Sequence, residues 1–302
     1  MTERVRVGTR RSPLARVQTD WVLARLNHVA PDWRFDPIPV DTSGDRDRSP
    51  GSSPDFTDSI DRALIGGTID LAVHSAKDLP VELDPRLALL ACPRRADPRD
   101  CLVFASEGVS RTLPRGAKVG SSSLRRRAQL LRWRPDLTVV EIRGNVGTRI
   151  GLVQSGAIDA AILAVAGISR LGRSAEIGRI LPATSFLPAP AQGALAVVAR
   201  SGDTLLSSVV SRLDHAATRA CVTAERAFAA ALGGDCQVPL GALAKGHGES
   251  ISVEGEVLAV DGRTALRANR RGRASEAGRV GSTLGKEMLD RGALDLMSPP
   301  RP

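Results

Sequence analysis

The chain has 302 residues, more than one hydrophobic core usually serves, so two or three compact domains are expected. Its formal charge of +9 comes almost wholly from arginine and indicates an anionic partner, either nucleic acid or small polycarboxylates and phosphates. With 3% aromatic residues and no tyrosine, the chain offers few surfaces for stacking unpaired bases, so nucleic acid is the weaker alternative.

The amino-terminal residues and the hydropathy pattern argue against a membrane protein. The chain opens with the strand-like run Arg4–Val7, and no run of about 18 apolar residues follows. We therefore expect a soluble, cytoplasmic protein. The cysteines are too scattered for a metal knuckle or a disulfide framework, and the histidines have no metal-ligand spacing, so no metal is expected. The cysteines are Cys92, Cys101, Cys221 and Cys236, and the histidines are His28, His74, His215 and His247.

The first half of the chain contains an internal repeat. The run Lys118–Ser121 and the helix-like residues after it echo Arg6–Thr9 and its own following residues. Farther on, Gly67–Val73 is matched by Gly156–Ile162. The pattern of each copy predicts a strand, a glycine turn and a helix that begins at small hydroxyl residues. A coincidence between common α/β sequences is the alternative.

Further strands and helices alternate between these landmarks. The predicted strands are 35–41, 69–73, 137–142, 160–165 and 195–199, and the predicted helices are 58–64 and 146–154. Continuous apolar runs such as Ala160–Val165 suit strands covered on both faces. The prediction is α/β, with two similar doubly wound βαβ lobes that resemble periplasmic binding proteins. Ligands of such lobes bind in a cleft, at the carboxyl ends of strands.

The last third of the chain has a different pattern and predicts a smaller C-terminal α+β domain. It contains a predicted Ala-rich helix at 215–232, strands at 238–243, 251–260 and 264–271, and a helix at 276–291. The predicted domains are lobe 1 at 1–93 with 194–212, lobe 2 at 94–193, and the C-terminal domain at 213–302.

Three segments could carry chemistry. The strand Leu71–Val73 ends in His74-Ser75-Ala76-Lys77-Asp78, which makes Asp78 a candidate acid or base, although a helix cap or a partner for Lys77 would explain it equally well. The second is the pair of runs Gly120–Arg127 and Arg143–Arg149, which contain serines and arginines, and the third is the loop that contains Cys236.

The serines and arginines indicate anion receptors. Gly120–Arg127 places successive serines at a helix start, and Arg143–Arg149 follows the next strand. Helix N-termini and guanidinium forks both bind carboxylates and phosphates. Arg10, Arg11 and Ser12 occupy the equivalent corner of the first lobe. For Arg127 and Arg132 a solvated basic helix face is the preferred interpretation.

Cys236 lies in the loop Gly233-Gly234-Asp235-Cys236, directly after a predicted helix. Flexible glycines before a thiol suggest a side chain presented outside its own core, whereas a lone cysteine is more often inert packing. The residues alone leave both interpretations open.

Taken together, eight segments in this order resemble the porphobilinogen deaminase (hydroxymethylbilane synthase) family from about Val5 to Arg291. They are Gly8–Ala15, Val73–Pro80, Asp97–Asp100, Gly120–Arg126, Arg143–Arg149, Ala164–Ile168, Ala191–Ala194 and Cys236–Pro239. The resemblance implies a monomeric transferase that condenses four porphobilinogen molecules head to tail with release of ammonia, then hydrolyses off hydroxymethylbilane for tetrapyrrole (haem) biosynthesis. It further implies a small-molecule substrate and no nucleic acid or membrane partner.

The resemblance also implies site residues. Asp78 matches the family's catalytic aspartate, and Cys236 matches the cysteine that holds the dipyrromethane cofactor, one per chain, as a thioether. The residues implied for cofactor binding are Cys236, Lys77, Asp78, Ser123, Arg125, Arg126, Arg143 and Gly144, and those implied for substrate binding are Arg10, Ser12, Arg149, Arg170 and Gln192. Loss of ammonia leaves a cationic pyrrole that a carboxylate can stabilise, and arginines suit the substrate carboxylates.

The chain departs from the family after Asp45, where residues 46–58 are shorter than the family's lid and lack its lysines. Asp235 also replaces the glycine usually found before the cofactor cysteine. These departures leave lid closure, substrate affinity and product length open. The alternatives are a divergent deaminase paralogue and a non-catalytic two-lobed anion-binding protein.

Overall fold

The computed structural model describes residues 3–42, 57–105, 112–234 and 238–297. The chain divides into two compact units, residues 1–96 with 194–219 and residues 97–193 with 220–302. The predicted lid, apart from Thr57 and Asp58, and the residues Asp235 and Cys236 lie outside the described residues. The division into three domains stays a prediction.

The regular elements of the described residues alternate between strands and helices through the first 200 residues. In chain order they are β1 (Glu3–Arg10), α1 (Pro13–Val29), β2 (Trp33–Val40), α2 (Asp58–Ile65), β3 (Leu71–Ser75), β4 (Leu87–Ala91), β5 (Asp100–Phe104), β6 (Lys118–Gly120), α3 (Leu124–Trp133), β7 (Thr138–Val140), α4 (Val146–Gln154), β8 (Ala160–Ala164), α5 (Val165–Arg170), β9 (Arg179–Ile180), β10 (Leu195–Arg200), α6 (Thr204–Val210), α7 (Ala216–Ala231), β11 (Leu240–His247), β12 (Ser250–Leu258), β13 (Ala265–Arg273), α8 (Ala277–Asp290) and α9 (Ala293–Met297).

The first unit contains a mixed five-stranded sheet in the order β2-β1-β3-β10-β4. Strand β1 pairs in parallel with both β2 and β3, as βαβ units require, whereas β10 runs antiparallel to β3 and β4. Val7, Leu71 and Val197 are buried in its core. The predicted α/β class is therefore confirmed, and the strand that returns from the second unit adds the antiparallel pairing.

The second unit contains a sheet of the same design, in the order β7-β6-β8-β5-β9. Here β6 is the parallel neighbour of β7 and β8, and β5 pairs antiparallel with β8. The two sheets match position by position: Gly8 pairs with Ala72 in the first, and Gly120 pairs with Ala161 in the second. The internal repeat is thus a structural repeat.

Close packing explains the glycine in each copy. A Cβ atom on Gly8 would lie 2.3 Å from Ile69 Cδ1, and one on Gly120 would lie 2.7 Å from Ile158 Cδ1. Both isoleucines come from the repeated segment that precedes the third strand. Since interiors are packed to near-crystalline density, each isoleucine fills the space that a side chain at the glycine would need.

The carboxy-terminal part of the second unit is an antiparallel sheet in the order β11-β12-β13, with α8 packed against β12 and β13. Phe228 of α7, Val253 and Leu284 are fully buried in its core. This is the small α+β arrangement that the sequence predicts. No helix of the described residues is long and apolar enough to cross a membrane.

Candidate functional site

A polar corner follows the carboxyl ends of β1 and β3 in the first unit. Ser12 caps α1, where its Oγ accepts a hydrogen bond from the Ala15 amide at 3.3 Å. Arg10 is the last residue of β1, so strand and helix together place it and Ser12 at one edge of the sheet. The predicted helix start with a hydroxyl cap is therefore observed.

Asp78 lies at this same corner. Strand β3 runs into a single 3₁₀ turn, Ala76–Asp78, in which Ala76 is buried while Lys77 and Asp78 are half-buried. Arg10 Nη1 lies 4.0 Å from Asp78 Oδ2, and the Asp78 side chain keeps 28% of its surface exposed. A carboxylate that is held near a cation and still reaches solvent can contact a ligand. We call Arg10, Ser12, Lys77 and Asp78 the acid corner.

His74 precedes the acid corner and is buried. Its Nε2 lies 4.0 Å from Asp61 Oδ1 and makes no hydrogen bond. Burial, with the positive charge of Arg10 nearby, lowers the pKa of His74 to about 4. The imidazole is therefore neutral at pH 7 and adds no charge to the acid corner.

The second unit places arginines at the equivalent edge of its sheet. Ser123 caps α3 by accepting a hydrogen bond from the Arg126 amide at 3.4 Å. The next two arginines turn inward to Asp100, the fully buried first residue of β5: Arg125 Nη1 lies 2.8 Å and Arg126 Nη2 2.7 Å from its carboxylate. Burial alone would raise the pKa of Asp100, but the two guanidiniums hold it well below its usual range.

Arg125 keeps part of its hydrogen-bonding capacity free. All three hydrogen bonds that it donates to described residues come from Nη1, and they reach Asp100, Gln129 Oε1 and the Leu187 carbonyl. Its Nε is buried and has no hydrogen-bond partner. A buried N–H without an acceptor is costly, and a carboxylate is the acceptor that a guanidinium edge fits best.

Arg149 and Arg170 are cations without carboxylate partners among the described residues. Arg149 donates to the Gly144 carbonyl at 2.9 Å and to Ser122 Oγ at 3.4 Å, and Arg170 donates to the Gly193 carbonyl at 2.7 Å. Burial lowers the pKa of each to about 10, and Arg126 and Arg143 add to the effect on Arg149. Both side chains stay charged at pH 7, so an incoming anion would relieve their unbalanced charge.

The remaining predicted residues of this unit lie around these arginines. Arg143 pairs with Glu141 at 2.6 Å, and Gly144 has a left-handed backbone with φ of 98° that turns its carbonyl toward Arg149. Gln192 is buried, and its Nε2 donates to Asp100 Oδ1 at 2.9 Å and to the Pro98 carbonyl at 2.7 Å. We call Arg125, Arg126, Arg143 and Arg149 the arginine cluster.

Arg127 and Arg132 are exposed on α3, as a solvated helix face predicts.

Two residues of the second unit, Asp100 and Gln129, contact Arg125, although the sequence analysis assigned no role to either of them. One signal was available for Asp100, because an acid directly before four apolar strand residues must find a cation when it is buried. Within the described residues no group of three or more His, Cys, Asp or Glu side chains could hold a metal ion.

These features define an α/β protein in which helix N-termini and buried arginines are arranged to receive anions. The family model for the porphobilinogen deaminase dipyromethane cofactor binding domain matches residues 5–208, and the model for the C-terminal domain of porphobilinogen deaminase matches residues 219–290. The chain belongs to the porphobilinogen deaminase family.

Relatives from other organisms agree with this membership. The porphobilinogen deaminase of Roseiflexus castenholzii (strain DSM 13941 / HLO8) is 44% identical over 303 residues, which cover 99% of this chain and 100% of that protein. That of Stenotrophomonas maltophilia (strain K279a) is 44% identical over 302 residues, covering 98% and 99%. Among solved structures, the Bordetella pertussis BvgS VFT2 domain (double mutant) aligns with a TM-score of 0.44 and 20% identity, covering 70% of this chain and 86% of that one.

Proposed function

We propose that the chain is a porphobilinogen deaminase, a transferase that joins four porphobilinogen molecules into hydroxymethylbilane in tetrapyrrole biosynthesis. The observation that carries the proposal is a set of arginine groups that have no carboxylate partner among the described residues: the buried Nε of Arg125 and the half-buried side chains of Arg149 and Arg170. Each pyrrole of the substrate brings two carboxylates, so these cations have the charge and the geometry to bind it.

The family membership implies a dipyrromethane cofactor, and the residues present fit it. Cys236 would hold it by a thioether, and Arg125, whose buried Nε has no acceptor, is suited to one of its carboxylates, together with Ser123, Arg126, Arg143 and Gly144. When bound, the cofactor supplies the pyrrole carbon to which the first substrate is joined and keeps the growing chain from diffusing away. Lys77 and Asp78 are the other two residues assigned to cofactor binding.

Asp78 is the residue that we assign to the chemistry. Positive charge develops on the substrate pyrrole as ammonia leaves, and a carboxylate beside the pyrrole N–H stabilises that charge and assists proton movement. Arg10 lies 4.0 Å away and leaves the Asp78 side chain 28% exposed. Arg10 and Ser12, with Arg149, Arg170 and Gln192 of the second unit, complete the proposed substrate-binding set.

Intact-protein mass spectrometry tests the cofactor assignment. The chain, produced in cells that make porphobilinogen, should exceed its sequence mass by one dipyrromethane group. Cys236→Ser should lose both the extra mass and the activity, whereas Cys221→Ser should keep both, because Cys221 is a packing residue of the C-terminal core. A wild-type mass equal to that of the bare chain would contradict the assignment.

Steady-state kinetics test the role of Asp78. Asp78→Asn keeps the shape but removes the charge, so kcat should fall about a hundredfold or more while the cofactor still loads. Asp84→Asn is the matched control, since Asp84 pairs with Arg86 on the surface. Near-normal turnover of Asp78→Asn would refute its role. Binding of porphobilinogen without turnover by the wild type would instead favour a non-catalytic anion-binding protein.

The family membership further supports a cytoplasmic monomer of three domains, with boundaries at residues 1–93 with 194–212, 94–193 and 213–302. Light scattering on the purified chain measures the oligomeric state directly. Chain-length analysis of the product separates a tetrapyrrole-forming enzyme from a divergent paralogue with a different product.

A further inference from the structure

Asp100 receives hydrogen bonds from three side chains of the second unit. Arg125 Nη1 lies 2.8 Å from Oδ2, while Arg126 Nη2 and Gln192 Nε2 lie 2.7 and 2.9 Å from Oδ1. We propose that Asp100 is a positioning residue that fixes the Arg125 guanidinium so that its Nε edge is left for a ligand carboxylate. This role rests on the proposed function, in which that carboxylate belongs to the dipyrromethane cofactor.

The contacts of Arg125 determine its orientation. A guanidinium is planar and rigid, so holding one of its nitrogens in place sets the direction of the others. Nη1 lies among three acceptors: Asp100 Oδ2, Gln129 Oε1 at 2.9 Å and the Leu187 carbonyl at 2.7 Å. Nε is left buried without an acceptor. Asp100 thus occupies one nitrogen of Arg125 and leaves the edge that binds carboxylates in a bidentate manner.

Asp70 in the first unit shows the opposite arrangement. It also pairs with two arginines, Arg6 and Arg200. There, however, Arg6 Nε and Nη2 lie 2.9 and 2.8 Å from the two oxygens of Asp70, so the acid itself occupies the Nε edge. Asp100 takes the Nε edge of Arg126 in the same way, because Arg126 Nε and Nη2 both donate to its Oδ1. Asp100 does not take it from Arg125.

The charge balance around Asp100 also favours an incoming anion. One carboxylate faces two guanidiniums, and Glu256, which accepts a hydrogen bond from Gln129 Nε2 at 2.9 Å, forms no ion pair with Arg125 or Arg126 in the described part of the chain. Gln192 adds a neutral amide donor to Asp100. Asp100, Arg125 and Arg126 together therefore carry a net positive charge, and Arg149, which has no carboxylate partner among the described residues, adds to it.

The experiment compares Asp100→Asn with Asp70→Asn, which removes an acid of the same type. Apo-protein is reconstituted with porphobilinogen, and the loaded fraction is measured by intact mass alongside the melting temperature. Asp100→Asn should lower the initial rate of loading about tenfold or more, as loss of a supporting residue does in metal sites. Asp70→Asn should lose thermal stability yet load at the wild-type rate. Equal loading by the two variants would overturn the role of Asp100.

A double variant separates positioning from mere structural support. Because Asp100 acts through Arg125, adding Asp100→Asn to Arg125→Gln should reduce loading by less than about threefold beyond Arg125→Gln alone. This double variant has the wild-type net charge in the cluster, so it provides the comparison even where Asp100→Asn fails to fold. A further drop of tenfold would show that Asp100 acts independently of Arg125 and would overturn the proposal.

Malonate, a simple dicarboxylate, gives a measurement that does not depend on the proposed function. Titrated calorimetrically into chains with Cys236→Ser, it should bind about tenfold more weakly when Asp100→Asn is added, and unchanged with Asp70→Asn. If the wild type never loads but malonate follows this pattern, the proposed function fails and the role of Asp100 stands. If loading is normal but Asp100→Asn leaves malonate binding unchanged, the proposed function stands and the role of Asp100 fails.

Discussion

His74 illustrates how one buried side chain links stability to pH. It is fully enclosed in the first unit, its Nε2 makes no hydrogen bond, and the charged groups near it are Arg10 and Asp61. Burial lowers the pKa of His74 to about 4, below the ordinary value of 6.5. Between these two values the unfolded chain binds a proton that the folded chain does not, so stability rises with pH across this window.

We predict that His74→Gln removes part of the acid sensitivity of the chain. This contribution to the free energy of unfolding is complete above pH 6.5 and is lost as the pH falls toward 4, and the total loss is as much as about 3 kcal/mol. Urea unfolding at pH 7, 6, 5 and 4 measures the slope, which should be shallower in His74→Gln. His247→Gln, at an exposed histidine, is the control. Parallel pH profiles for wild type and His74→Gln would contradict this prediction.

At the scale of elements, α7 and α8 approach each other backbone to backbone. A Cβ atom on Gly281 of α8 would lie 1.9 Å from the Ala224 carbonyl oxygen, and one on Gly285 would lie 2.9 Å from the Phe228 carbonyl oxygen. Glycines one helical turn apart therefore form a flat stripe on α8. The close contact seals the core that contains Phe228 and Leu284.

We predict that Gly281→Ala destabilises the chain by about 3 kcal/mol, because backbone atoms cannot move aside as a side chain would. Gly278→Ala in the same helix is the matched control. Its Cβ would meet only Thr223 Cγ2 at 3.6 Å, and alanine is favoured over glycine in helices by about 0.5–1 kcal/mol. Unfolding free energies from urea titration measure both. Equal effects of the two substitutions would rule out the close-contact explanation.

The elements differ in how well the sequence predicts them. The repeat between Gly67–Val73 and Gly156–Ile162 predicted the two sheets because periodic apolar runs and glycine turns are local signals. Strands β4, β5 and β9 were not predicted, nor was the antiparallel direction of β10, since pairing partners far apart in sequence decide them. The serine caps of α1 and α3 were predicted, but the inward turn of Arg125 to Asp100 was not, because it depends on tertiary contacts.

At the scale of the whole molecule, the charge of +9 is not spread evenly over solvated side chains. Arg149 and Arg170 are half-buried and lack carboxylate partners in the described part of the chain, whereas Arg127 and Arg132 are exposed on α3. Buried unbalanced cations destabilise a fold until an anion joins them. The stability of the chain without its cofactor should therefore depend on which anions are present.

We predict that malonate stabilises Cys236→Ser, which on the proposed function carries no cofactor, more than sodium chloride does at equal ionic strength. A ligand that binds only the folded state adds RT ln(1 + [L]/Kd), or about 1.4 kcal/mol at ten times Kd, whereas screening by chloride acts on all surface charges alike. The measurement is the urea midpoint of Cys236→Ser in the two salts.

Matched pairs of substitutions locate the effect. Arg149→Met with Arg170→Met should reduce the difference between malonate and chloride and should raise stability in chloride alone, because these unbalanced charges are gone. Arg127→Met with Arg132→Met removes the same number of charges from exposed positions and should keep the full difference. If both pairs reduce the difference equally, net charge alone controls stability, and Arg149 and Arg170 have no particular affinity for carboxylates.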